Sequence, residues 1–372
     1  MSGERDRPLV MCVVGARPNF VKIAPILRAM VADGSLEPLL VHTGQHYDPM
    51  MSEIFFRDLG ISVEPFNLRI GSGTHATQLA AVLRELEPVV ADRAPDIILT
   101  VGDVNSTLAA ALVAAHSGVP LAHVEAGLRS GDPHMPEEVN RVVTDRLSDL
   151  LFTHSDEADE NLLREGVDRQ RIHHVGNVMI DSLQFCRPHW TGAASGALGE
   201  RLPKRYGVVT LHRPANVDDP NRLQLFLSAL CEAARELPLI FPVHPRTAPS
   251  IHRVSGNGLR VVKPMGYLAF LDLMERASVV ITDSGGVQEE TTALGVPCLT
   301  LRASTERPVT IRLGTNRLVG DEPAAIPSAV RTALKDRRAV QPIPTWDGHA
   351  ASRIVDVLVS ELEKPMPPRL AA

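Results

Sequence analysis

The chain has 372 residues, with 38 lysines and arginines against 44 aspartates and glutamates, for a net charge of −6. That length favours two domains with sizeable cores, and the acidic balance with only 4% aromatics disfavours a general nucleic-acid binder. The four cysteines (Cys12, Cys186, Cys231 and Cys298) form no CxxC pair, which argues against a zinc knuckle or a disulfide framework and fits a reducing, cytoplasmic setting. The mixed-charge start Met1–Arg7 does not read as a secretory signal. No apolar stretch approaches the roughly 18 residues of a membrane span.

From the N-terminus, short apolar runs alternate with helical stretches. Leu9–Val14, Pro38–Val41, Asp96–Val101 and Leu121–Val124 are rich in Val, Ile and Leu, as strands covered on both faces of a parallel sheet should be. Phe20–Val31 and Ser106–His116 read as helices between them. The pattern breaks over residues 187–205, where the Gly-rich stretch Thr191–Gly199 reads as a linker. It resumes with Gly207–Leu211, Leu239–Val243, Ser278–Thr282 and Cys298–Leu301. The last helix is His349–Leu362, with Ile354, Val355, Leu358, Val359 and Leu362 on one face, and the proline-bearing tail Lys364–Ala372 should fray. The expected fold is α/β, with two doubly wound, Rossmann-like domains facing across a cleft. Their expected bounds are residues 1–186 and 206–348, with 187–205 between them and 349–372 as a terminal helix and tail.

In open α/β sheets ligands bind beyond the carboxyl ends of the strands. The residues at those ends are polar in both halves. They are Gly15-Ala16-Arg17, His42 to His46, Gly102-Asp103 and Glu125 to Arg129, then His212-Arg213, His244-Pro245-Arg246 and Asp283 to Gly286. The run Asp283-Ser284-Gly285-Gly286-Val287-Gln288-Glu289-Glu290 ends a strand, passes two glycines and opens a helix, an arrangement that suits a phosphate. Ser284 caps that helix or touches the anion, and Glu290 is placed for ribose hydroxyls. The same segment reads equally as a tight capped turn. Arg17, Arg213 and Arg307 are candidate diphosphate ligands, although any one of them taken alone is more often a surface ion-pair partner. Asp103, Glu125, Glu137 and Glu138 supply carboxyls for acid/base work. Against that, Asp103 also reads as a helix N-cap, and the two glutamates as first-turn acids after Pro136. His42 and His46 lie close in sequence, but no metal-ligand pattern completes them; His173 and His174 read as surface histidines.

These motifs, in this order, resemble the non-hydrolysing UDP-N-acetylglucosamine 2-epimerases, which share the GT-B fold with many nucleotide-sugar glycosyltransferases. The match runs from about Val10 to Gly320. It includes Gly15 to Pro25, Thr43-Gly44-Gln45-His46, Gly102-Asp103, His123 to Ser130, Pro136 to Arg141, Thr210 to Arg213, Asp283 to Glu290 and Thr305 to Pro308. The resemblance implies interconversion of UDP-GlcNAc and UDP-ManNAc with no cofactor and no metal. A base removes the C2 proton as UDP leaves C1, giving a 2-acetamidoglucal, and the proton returns on the other face. It implies that Asp103, Glu125 and Glu137 do acid/base work and that His212 acts beside the departing diphosphate. It also maps Lys22, Gln45 and Arg141 onto active-site positions, Arg17, Arg213, Ser284, Gly285, Gly286 and Arg307 onto the UDP phosphates, Glu290 onto the ribose and Phe270 beside the uracil. It further implies a cytoplasmic homodimer that acts in cell-envelope polysaccharide synthesis, with no nucleic-acid or membrane partner. The chain departs from the family's Thr-Arg-Pro-Glu opening with Ala16-Arg17-Pro18-Asn19, and it has Asp48 near the place of a glutamine that binds allosteric UDP-GlcNAc in some bacterial members. The competing readings are an epimerase of a related UDP-2-acetamido sugar, a hydrolysing epimerase, a GT-B glycosyltransferase and a non-catalytic sensor.

Overall fold

A computed structural model describes residues 5–44, 55–71, 73–243, 247, 251, 258–336 and 339–364. The chain divides into two compact units, Met1–Phe185 with Pro344–Ala372, and Cys186–Ile343.

The first unit is built on seven parallel strands. These are β1 Leu9–Val14, β2 Glu37–His42, β3 Phe66–Asn67, β4 Ile97–Val101, β5 Leu121–Val124, β6 Leu150–Thr153 and β7 Ile172–His174. Their order is β3-β2-β1-β4-β5-β6-β7, so the winding reverses between β1 and β4. Every residue of β1 and β4 is buried, which explains why both read as continuous apolar runs. Helices at Arg17–Asp33, His75–Arg93, Asn105–Ser117 and Pro136–Leu147 cover the faces. Met11, Val13, Ile98, Val82, Leu86 and Ala110 share one core cluster.

The second unit repeats the plan with six parallel strands. These are β8 Gly207–Thr210, β9 Leu239–Pro242, β10 Leu259–Val262, β11 Val279–Thr282, β12 Cys298–Thr300 and β13 Asn316–Leu318, in the order β10-β9-β8-β11-β12-β13. The reversal again falls beside the first strand, between β8 and β11, and so beside the polar segments that follow them. Phe226, Phe241, Leu230, Val279 and Ile281 fill a separate core.

Two regions differ from the sequence reading. Within residues 187–205 the stretch Ala193–Leu198 is a short helix, and the Ala194 N–H donates to the buried Asp272 carboxylate at 2.9 Å, so part of this segment is packed structure of the second unit. The last helix, Ala350–Leu362, belongs to the first unit and packs on helix Arg17–Asp33. Its first turn is held by Asp181, whose carboxylate accepts from Ala350 N at 3.3 Å and Ala351 N at 2.8 Å. His173 and His174 are half-buried in β7, where His174 Nε2 lies 3.0 Å from Thr345 Oγ1.

Candidate active site

In the first unit the residues after β4 and β5 carry two ion-paired carboxylates, Asp103 with Arg141 and Glu125 with Lys22. Asp103 follows Gly102, whose φ of +70° suits glycine and whose missing side chain leaves room for Lys22; a Cβ there would lie 2.9 Å from Lys22 Nζ. The Asp103 carboxylate accepts from Arg141 Nη2 at 2.6 Å and remains one-quarter exposed. Its backbone carbonyl accepts from Asn140 Nδ2 at 2.9 Å. Asp103 is not a helix N-cap, because Val104 occupies that position with no side-chain bond. Arg141 is buried and also pairs with Glu138. Glu138 is an anchor, accepting from Ser130 N and Gly131 N at 3.0 Å. Burial works against its charge, but those two N–H groups and Arg141 hold its carboxyl below the usual range. Glu137, its neighbour in the same first turn, stands half-exposed.

Glu125 is buried and ion-paired with the buried Lys22. Its φ of +74° lies in the left-handed region, a costly conformation for a residue with a Cβ. Glu125 N and Ala126 N both donate to Phe152 O, at 3.0 and 3.1 Å, which helps hold that turn. A cavity beside this pair is lined by Lys22, Glu125, His154, Gly176, Asn177 and Met179. Arg17 is exposed at the first position of its helix. The departure at Asn19 has a clear local use. Its Oδ1 accepts from Gly15 N at 3.2 Å and Ala16 N at 3.0 Å, while Nδ2 donates to Val101 O at the end of β4. Gln45, with His46, Tyr47 and Asp48, lies outside the described residues.

In the second unit the centre is Asp283, fully buried after β11. It accepts from His212 N, Arg213 N at 3.0 Å and Asn216 Nδ2 at 3.1 Å, and His212 Nδ1 lies 2.9 Å from its Oδ1. Burial opposes its charge, but these donors hold its carboxyl below the ordinary value. Nδ1 facing a carboxylate assigns it the ring proton, and the His212 side chain is part-exposed. Ser284 is the N-cap of helix Gly285–Leu294, and its side chain makes no capping bond. Arg307 is buried, pairing with Glu306 and Glu289, each at 3.0 Å. Its Nη1 lies over Gly285, where a Cβ would come within 2.5 Å. So Gly285 is small because a guanidinium occupies the space above it. Glu306 is shared with Arg302 at 2.7 Å and Arg213 at 3.6 Å, giving three guanidiniums against the two carboxylates of Glu289 and Glu306. Glu290 accepts from Tyr267 Oη at 2.8 Å, and burial, offset in part by that bond, pushes its carboxyl up to about 8. Phe270 lies on the same helix as Tyr267, half-buried. His244 and Arg246 lie outside the described residues.

Residues 28–359 match the family described as UDP-N-acetylglucosamine 2-epimerase. A UDP-N-acetylglucosamine 2-epimerase of Methanocaldococcus jannaschii is 40% identical over 358 residues, covering 93% of this chain and 97% of that one. A UDP-2,3-diacetamido-2,3-dideoxy-D-glucuronate 2-epimerase of Pseudomonas aeruginosa is also 40% identical, covering 94% and 99%. A crystal structure of the Methanocaldococcus jannaschii UDP-GlcNAc 2-epimerase in complex with UDP-GlcNAc and UDP superposes with a TM-score of 0.88 at 38% identity, covering 95% and 99%. The chain belongs to the UDP-N-acetylglucosamine 2-epimerase family. Its fold is the GT-B-like arrangement of two parallel-sheet α/β domains seen in these relatives.

In this epimerase-family enzyme Lys22 and Arg141, which hold Glu125 and Asp103, stand in the sequence motifs, whereas some other supporting residues of the site do not. Asp283 reads from the sequence as the start of the phosphate segment, with no link to His212. Asp145 takes His123, Gly127 and Arg129 into one buried cluster. Tyr267 and Arg302 lie outside the motifs. Sequence signals existed only for some: Asp283 ends a strand, and Tyr267 lies three residues before Phe270.

Proposed function

We propose that this enzyme inverts C2 of UDP-GlcNAc to give UDP-ManNAc without a nicotinamide cofactor, by elimination and re-addition of UDP. A base takes the C2 proton as the C1–O bond breaks, leaving a 2-acetamidoglucal and UDP. A proton is then delivered to the opposite face of C2, and the diphosphate re-adds to C1. The C2 proton is weakly acidic, so the developing charge on the diphosphate needs preplaced donors.

The observation that carries this reading is the pair of strand-end carboxylates, each with its own cation: Asp103 on Arg141 and Glu125 on Lys22. Elimination and reprotonation on two faces need more than one placed acid/base group. In this reading Asp103, Glu125 and Glu137 are the acid/base candidates, and Lys22 and Arg141 keep the first two carboxylates oriented. His212, held by Asp283, serves the departing diphosphate. Arg17, Arg213, Arg307, Ser284 and the backbone at Gly285 and Gly286 meet the phosphates. Because Arg307 is already bound to two glutamates, it supplies field more than a free donor. Glu290 takes the ribose through the carboxyl oxygen that Tyr267 leaves open, Phe270 flanks the uracil, and Gln45 contacts the sugar nucleotide.

The test is to incubate the enzyme with UDP-GlcNAc in D2O and follow it by proton NMR. We expect UDP-ManNAc, with deuterium at C2 of both sugars. Free ManNAc would indicate a hydrolysing enzyme, and unlabelled substrate after long incubation would refute epimerisation of this sugar. A second substrate is favoured by one observation: the Pseudomonas aeruginosa relative is as similar as the Methanocaldococcus jannaschii one, yet its name carries a diacetamido uronate. The same spectra with that UDP-uronate decide between them. Among the described residues no helix is long and apolar enough to cross a membrane. We read the enzyme as a cytoplasmic homodimer that supplies an activated sugar for cell-envelope polysaccharide, and light scattering checks the mass.

A further inference from the structure

His123 lies in β5, completely buried, two residues before Glu125. Both of its ring nitrogens are engaged. Nδ1 is 2.6 Å from Asp145 Oδ1, and Nε2 is 2.8 Å from the carbonyl oxygen of Gly102. A backbone carbonyl only accepts, so Nε2 carries a proton. Asp145 also accepts from Gly127 N at 3.0 Å and Arg129 Nη1 at 2.7 Å, both on Oδ2. A carboxyl bound to a guanidinium and a backbone N–H on one oxygen is stabilised as the anion. Although burial opposes its charge, His123 and Arg129 hold Asp145 below its usual range. An ionised Asp145 accepts from Nδ1 too, so the ring donates twice.

We propose that His123 is a buried ring that donates from both nitrogens, to Asp145 and to the Gly102 carbonyl, and through the second bond positions Asp103. The charges around it balance: Asp145 faces the ring, Arg129 bridges Asp145 to Glu165, and Glu165 takes that guanidinium in two bonds of 2.7 Å. On the other side, the ring's second bond fixes the peptide between Gly102 and Asp103. Asn140 holds the next carbonyl and Arg141 the carboxylate, so Asp103 is secured at three successive points. A neutral imidazole would leave either Asp145 or the Gly102 carbonyl without its donor. A buried carbonyl without a partner is costly, and the loop that carries Asp103 would shift to find one. His123 is therefore a positioning residue, and its role in turnover rests on the reading of Asp103 as an acid/base group.

The wild-type enzyme, labelled with 15N-histidine, supplies the first test. Long-range proton–nitrogen correlation at neutral pH should show one histidine with protons on both ring nitrogens. Loss of that signal in His123→Gln assigns it. A His123 ring with either nitrogen bare at neutral pH overturns the proposal, whatever the variants do. In kinetics, His123→Gln should lower kcat about a hundredfold with KM within about threefold, because misplacement of an acid/base group affects the chemical step more than binding. Unchanged kcat, or a fall carried by KM, refutes the positioning role. An active Asp103→Asn would instead refute the reading of Asp103 and leave the spectrum of His123 intact.

Discussion

Asp103 shows how little of a residue's role its type conveys. An aspartate after a strand is most often a cap, yet here its carboxylate turns to Arg141 and leaves the capping position to Val104. Replacing it with asparagine keeps the shape and removes the charge. We expect Asp103→Asn to retain UDP binding in calorimetry while kcat falls by about two to four orders of magnitude, the usual range for an acid/base group. Glu290 makes a prediction in pH. Its folded value of about 8 lies above the ordinary 4.5, so between those values the folded chain holds a proton that the unfolded chain has lost. Its contribution to stability is therefore complete below pH 4.5 and fades as pH rises to about 8. In the proposed reading, ribose hydroxyls donate to this carboxylate and favour its charged form. UDP binding near pH 7 should thus release a proton from Glu290, read as a dependence of binding enthalpy on the buffer's ionisation enthalpy. That part of the dependence should vanish in Glu290→Gln.

At the scale of elements, the strands show which local signals suffice. Leu9–Val14 and Leu121–Val124 were legible to the residue, because strands covered on both faces read as mainly apolar runs, with His123 the one polar side chain in the second. β3, β7 and β13 have two or three residues each, Phe66–Asn67, Ile172–His174 and Asn316–Leu318, too short for any periodicity to register. The final helix was legible from its apolar face, but its cap was not. Asp181, far away in the chain, supplies the carboxylate that receives Ala350 N and Ala351 N. We expect Asp181→Ala to lower stability by about 0.5–2 kcal/mol, the range for a lost helix cap, read as a lowered midpoint in urea with an unchanged slope.

At the scale of the molecule, each unit has its own sheet and its own core, and the chain returns from the second to complete the first. Ile354, Val355 and Leu358 of the last helix are buried. At roughly 1.5–3 kcal/mol each, burial of these three side chains rivals the whole stability of a domain. A chain ending before Pro344 should therefore lose the first unit's folding while the second, built from Cys186–Ile343, keeps its own. The expected sign is protease cleavage concentrated in the first unit while the second stays resistant; equal cleavage of both would contradict this division.

The sequence alone determined the alternation of strand and helix, the repetition of that plan in two halves, and which side chains stand at the strand ends. Buried parallel strands are written in apolar runs, and strand ends in the polar residues that interrupt them. Only the tertiary structure decided which of those side chains meet. Arg141 reaches Asp103 across 38 positions, Asp283 reaches His212 across 71, and His123 meets both Gly102 and Asp145. Such partners are chosen by crossover connections that bring distant loops to one sheet edge, and no local pattern records a distance of 3 Å between residues so far apart in the chain.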